Sequence, residues 1–216
     1  ERKAVAGGKA WGYHHLVLLC QNEKGYKNLM KLVSIGYLDG FYYKPRVDKD
    51  LLRQYNEGLI ATSACLAGEL TRFAAQGDYE NCKKSAIEYS EIFPDRFYIE
   101  MQNHNIPEEL ASHDILKKVA KELDLPLVAT NDNHYCMEEH WEAHDVLFCL
   151  GTSKDRNDPN RHRYEPRQFY IKSADEMFKL FKDTPEALEN TLRIAEQCKV
   201  DIPMGTYHLP NFDIPE

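Results

Sequence analysis

Apolar positions along this chain follow two rhythms. Four short runs rich in branched and aromatic residues, 16–20, 59–62, 97–102 and 127–130, have the length and composition of buried strands. Between them, apolar residues recur at helical spacing: Tyr26, Leu29, Leu32 and Val33; Leu70, Phe73 and Ala74; Ala86, Tyr89 and Ile92; Leu116, Val119 and Leu123. Strand and helix alternate, which predicts an α/β fold built on a mostly parallel sheet or barrel. Four strands are too few to close a barrel and make a small core for so many helices. The pattern therefore predicts an incomplete barrel whose first strands precede this sequence. The opening "ERKAVAGGKAWGY", without Met, reads the same way, as the inside of a longer protein.

The rhythm changes after Gly151. The run "GTSKDRNDPNRHRYEPRQFY" is polar and turn-rich, so it reads as a connecting loop with a boundary near 151. Beyond it, Ser173 and Glu176 form a capping box for a helix starting near Ala174, with Met177, Leu180 and Phe181 as its apolar face. A second helix is expected from about 185 to 198. The tail "VDIPMGTYHLPNFDIPE" carries Pro203, Pro210 and Pro215, too many for a regular element, and reads as an exit strand or linker. Two units follow: 1–151, and a small helical connecting segment over 152–216.

Composition narrows the chemistry. Apolar residues at 43% and charged residues at 29% of 216 are ordinary globular usage. A formal net charge of −8 excludes coating of a phosphate backbone by bulk electrostatics. The one basic stretch is the loop after 151, where Lys154, Arg156, Arg161, Arg163 and Arg167 outnumber Asp155, Asp158 and Glu165. Six cysteines without a C-x-x-C pair suggest neither a zinc knuckle nor a disulfide framework, and fit a reducing cytoplasm. No run of about 20 apolar residues is available to span a membrane.

The sharpest local signal is "LVATNDNHYC", where a strand runs into Asp132 and His134. Side chains at i and i+2 of an extended segment point the same way, so a carboxylate and an imidazole can converge on one cation at the C-terminal end of the strand. α/β barrels place their sites there. The plain alternative is a capping aspartate beside a surface histidine. "GLIATSACLAGEL" ends a second strand at Ser63 and Cys65, just before a helix whose N–H groups would favour a thiolate. Taken alone, Cys65 reads equally as a small core residue. In "GYHHLVLLC", His14 and His15 fall on opposite faces, so one of them at most serves a given centre. His15 starts its strand, and joins the others only if that strand is antiparallel to its neighbours. Glu100 and Gln102 share a face of "FYIEMQNH"; Glu100 reads as supporting a ligand through a hydrogen bond, or as pairing with a neighbouring strand tip. His104, His113, His140, His144, His162 and His208 show no ligand spacing and read as surface or helix-face residues, and Glu69 and Asp78 as helix starts.

Longer motifs add a resemblance. "HHLVLLCQNEKGYKNLMKLVSIGYLDGFYYKPRVD", "GLIATSACLAGEL", "VATNDNHYC", "HDVLFCLGTSKDRNDPNRHRY" and "FYIKSADEMFKLF" occur in the order found in the alpha subunits of bacterial DNA polymerase III, the C-family replicative polymerases, and cover essentially the whole chain. The resemblance implies that residues 1–151 are most of a polymerase and histidinol phosphatase (PHP) domain, a distorted barrel of about seven strands that gathers divalent ions such as Zn, Mn or Mg. It implies His15, Cys65, Asp132 and His134 as ligands, with further ligands on earlier strands. It implies a metal-dependent 3′-5′ exonuclease in members with a full ligand set, and a scaffold in the rest. Polymerisation, with its own Mg, belongs to acidic residues beyond this sequence, so no polymerase catalytic residue is named. Implied partners are DNA, deoxynucleoside triphosphates and the other replicase subunits. Two alternatives stand beside it: a free-standing PHP metallophosphoesterase, to which the segment after 151 is superfluous, and a non-catalytic partner-binding module.

Overall fold

The computed structural model describes residues 13–207 and 209. The opening segment and the end of the tail, with His208, Pro210 and Pro215, lie outside the described residues. Among the described residues four strands and eight α-helices follow in order: β1 (Val17–Cys20), α1 (Glu23–Leu38), α2 (Lys49–Tyr55), β2 (Leu59–Thr62), α3 (Glu69–Ala75), α4 (Tyr79–Ile92), β3 (Phe97–Gln102), α5 (Pro107–Leu123), β4 (Leu127–Thr130), α6 (Trp141–Thr152), α7 (Ala174–Leu180) and α8 (Pro185–Gln197). All four expected strands form, the first one residue shorter at its start.

Local chemistry sets the helix ends. Asn22, Asp48 and Asp78 each accept an N–H of the first turn of α1, α2 and α4. Pro107 and Pro185 open α5 and α8, where a missing N–H costs nothing. The Ser173–Glu176 capping box of α7 is present as the sequence predicts. Gly58, at φ +72°, lies so close to α1 that a Cβ at Gly25 would sit 1.8 Å from its carbonyl oxygen. This contact lets α1 lie directly against the turn into β2.

The sheet order is β1-β2-β3-β4, open among the described residues, with β1 and β4 at the edges. β2, β3 and β4 are parallel, and β1 is antiparallel to β2 with Val17 opposite Thr62 and Cys20 opposite Leu59. The sheet is therefore mixed. Over most of their length the parallel strands are apolar on both faces, as strands covered on two sides must be, with polar Thr62, Glu100, Gln102 and Thr130 toward their C-terminal ends. Leu59, Ala61, Phe97, Ile99, Met101, Leu127 and Ala129 face the large core with α3, α4 and α5. Ile60, Tyr98 and Val128, one residue out of step, pack with Ile194 of α8. Asn190 of α8 also donates to the Leu127 carbonyl at 2.7 Å. A helix downstream of the expected boundary at 151 thus forms the second layer over the sheet, because that face would otherwise be left wet.

Candidate metal centre

Period-two alternation decides which polar residues share a side. His15 is in phase with Leu19 on β1, Thr62 with Ile60, Glu100 and Gln102 with Tyr98, and Thr130 and Asp132 with Val128. All project from the face that α8 covers, but at the far end of it. Antiparallel β1 brings its start, not its end, to the place where β2, β3 and β4 finish, which is the condition His15 requires.

There the side chains form two pairs. Cys65 Sγ lies 3.5 Å from His15 Nδ1, and His134 Nε2 lies 3.2 Å from Asp132 Oδ2. His15 itself is fixed through its backbone, donating to Ala67 and bridging to Gly68. His15, Cys65, Glu100, Gln102 and Asp132 line one cleft of about 740 Å³, and His134 touches Asp132 without lining that cleft itself. Ligands about 2.0–2.3 Å from one tetrahedral ion lie roughly 3.3–3.8 Å apart, so each pair has the chemistry and close to the spacing of two donors on one cation. Among the described residues no three His, Cys, Asp or Glu groups converge on one point. The geometry is that of two separate side-chain pairs at one end of the sheet, with His15, Cys65 and Asp132 on a common cleft.

Cys65 does not behave as the sequence suggests. Burial pushes its thiol above the ordinary value, with Asp132 and Glu100 adding to the rise and the Ala67 N–H opposing it. Helix α3 begins only at Glu69, too far along to hold a thiolate. Cys65 is therefore a thiol at neutral pH. Glu100 is 5% exposed; Thr62 and Thr130 donate hydroxyls to it and Gln102 an amide at 3.1 Å. It ties together the ends of β2, β3 and β4, the strand-tip role, and its partners among the described residues include none of the four ligand candidates.

His104 is the residue that sequence reasoning misplaced. It is fully buried, not on the surface. Its Nδ1 meets Glu109 Oε1 at 2.9 Å, its own N–H donates to Glu109 Oε2 at 2.7 Å, and its Nε2 accepts the Asp132 N–H at 3.1 Å. Phe169 stacks on the ring with centroids 4.6 Å apart. The available signal was its place two residues past the end of β3, beside the other strand tips. His144, half-buried on α6, lies with its ring 5.7 Å from that of His134, and the Tyr164 ring lies 4.2 Å from that of His134. His140 and His162 are exposed as expected.

The loop after α6 also differs from its sequence reading. Its cations are largely spent internally: Arg161 holds Asp145 with two contacts of 2.6 Å, and Arg156 pairs with Glu142 at 2.5 Å. Segment 168–172 then straps the Asp132–His134 loop, with His134 N–H donating to the Phe169 carbonyl at 2.8 Å and Asn131 to that of Tyr170 at 2.5 Å.

Glu69, at the cleft wall, is more than a helix start. Lys49 approaches it at 3.0 Å, and Ser85 and Tyr89 each donate a hydroxyl at 2.9 Å. Burial alone would raise its carboxyl, but Lys49 and the two hydroxyls outweigh it and hold the group below the ordinary carboxylate range. A folded-state value below the unfolded one gives stability that is present above about pH 4.5 and is lost as pH falls through the folded value. Glu69→Gln should therefore shrink the drop in melting temperature between pH 6 and pH 3. An undiminished drop would show that Glu69 carries no such linkage.

Comparison with known proteins places this geometry in context. Residues 4–104 match the PHP domain family. The chain is 47% identical over 205 residues to the DNA polymerase III subunit alpha of Borreliella burgdorferi, covering 94% of this chain and 18% of that protein. It is 46% identical over 204 residues to that of Treponema pallidum, covering 94% and 17%. With that of Thermus aquaticus it shares 41% over 211 residues, covering 95% and 17%. The chain thus spans less than a fifth of the length of these relatives.

Proposed function

We propose, from the premise that this chain carries a PHP domain and belongs with the bacterial DNA polymerase III alpha subunits, that it is a segment of the catalytic subunit of a replicative DNA polymerase. The observation that carries this reading is the reach of the similarity. It extends well beyond residues 4–104, through the connecting loop and over α7 and α8, which a free-standing phosphoesterase would not need. On this reading the four strands are the later part of a distorted seven-strand barrel, with the division near 151. The parent chain works on DNA and deoxynucleoside triphosphates in the cytoplasm with other replicase subunits, using Mg at a polymerase centre on other residues.

PHP domains generally imply divalent metals, and His15, Cys65, Asp132 and His134 are the residues here that would hold Zn, Mn or Mg. A cation there supplies charge that polarises a phosphodiester and lowers the pKa of water. His15 and Cys65 offer one pair of donors, Asp132 and His134 the other, and further ligands on preceding strands would complete a 3′-5′ exonuclease centre. Cys65 must give up its proton on binding, so metal affinity falls as pH is lowered. Glu100, by tying three strand ends, keeps the two pairs at a fixed separation.

The test uses the intact gene product on a primed template. Extension of the primer with deoxynucleoside triphosphates is expected, and shortening of the 3′ end in their absence should depend on added Mn²⁺. A product that cannot extend the primer would refute the polymerase reading.

A further inference from the structure

We infer that His104 is a positioning residue for the metal site, setting the place of the Asp132 carboxylate through the Asp132 backbone N–H. This rests on the proposal that Asp132 is a ligand. Asp132 lies just beyond β4, where ladder hydrogen bonds no longer fix the chain, and its N–H is taken by a side chain instead. That side chain is held on every side. Glu109, 4% exposed in the first turn of α5, spends both oxygens on His104, one on the ring and one on the backbone N–H. With Nε2 accepting from Asp132, the ring proton sits on Nδ1 and points at Glu109, which fixes the tautomer and forbids a ring flip. Phe169 closes the remaining face and reaches on to His134, with ring centroids 5.7 Å apart and nearly perpendicular planes.

His104 therefore sits at a junction: β3 and α5 below, the Asp132–His134 loop above, and the strap from 168–172 alongside. A carboxylate that must meet a cation within a few tenths of an ångström gains from such a fixed anchor, and partners that orient ligands commonly influence metal affinity by about 10–100-fold. The role needs one particular atom, an acceptor at the Nε2 position. It does not need the imidazole to touch metal or substrate.

Two amide substitutions separate that atom from the rest of the ring. His104→Gln can present an acceptor where Nε2 lies, and His104→Asn can keep a donor toward Glu109 but cannot reach the Asp132 N–H. Metal-free intact protein would be titrated with Mn²⁺ and the free ion followed by electron paramagnetic resonance, with melting temperature measured alongside. The expected result is affinity about tenfold or more weaker in His104→Asn, recovery to within about threefold of the original in His104→Gln, and loss of these ions in Asp132→Ala. Equal weakening in both His104 variants, or none in His104→Asn while Asp132→Ala fails to bind, would overturn the positioning role and leave the metal site standing. Unchanged binding in Asp132→Ala would remove the site itself, and the inference with it.

Discussion

Asp132→Ala in the intact protein is expected to abolish Mn²⁺-dependent shortening of a primer 3′ end while primer extension proceeds at close to its original rate. The reason is spatial. Asp132 pairs with His134 at 3.2 Å on the cleft that His15 and Cys65 also line, so its loss removes a carboxylate from the proposed metal site. Loss of a proposed direct ligand should cost more than the roughly 10–100-fold that outer partners command. Among the described residues that carboxylate contacts His134 and no strand residue, and its side chain is 47% exposed, so folding should survive. Equal loss of both activities would show that Asp132 acts on the fold. Loss of neither, with metal content unchanged, would take Asp132 out of the centre.

Phe97→Ala is expected to lower the stability of the domain by about 3–5 kcal/mol, the usual cost of emptying a phenylalanine site in a packed core. Phe97 is 1% exposed on β3, one of the two interior strands, and stacks on Tyr89 of α4 with ring centroids 5.4 Å apart. Marginal domains hold only about 5–15 kcal/mol in total, so the variant should melt many degrees lower and lose cooperativity under mild denaturant. Leu38→Ala, at a position 83% exposed, serves as the comparison and should shift the midpoint little. If the two variants unfold at the same urea concentration, the core assignment around β3 fails.

The two faces of the sheet explain why so much of the fold was legible. Strands 59–62, 97–102 and 127–130 are short, rich in branched and aromatic residues and apolar except at Thr62, Glu100, Gln102 and Thr130 toward their C-terminal ends, a pattern that few other environments accept. Ser173 and Glu176 announced α7 because a capping box is local chemistry, complete within four residues. The direction of β1 stayed open in the sequence, which stated only that His15 could meet the other strand tips if β1 ran antiparallel, and the structure supplies that antiparallel pairing.

His104 was not legible for the opposite reason. A histidine in "QNHNIPEEL" looks like any loop histidine until Glu109, Asp132 and Phe169, separated from it by 5, 28 and 65 positions, close around it. The fate of the basic loop was hidden in the same way, since Arg161 needs Asp145 of α6 to become a buried ion pair and not a phosphate contact. Cys65 looked poised as a thiolate because sequence shows a helix close behind it, but not the burial that raises its pKa. Period, capping and strand composition are properties of neighbours along the chain, and sequence alone determined those. Burial, hydrogen-bond partners and protonation depend on which distant segments arrive at the same point, so only the tertiary structure decided them.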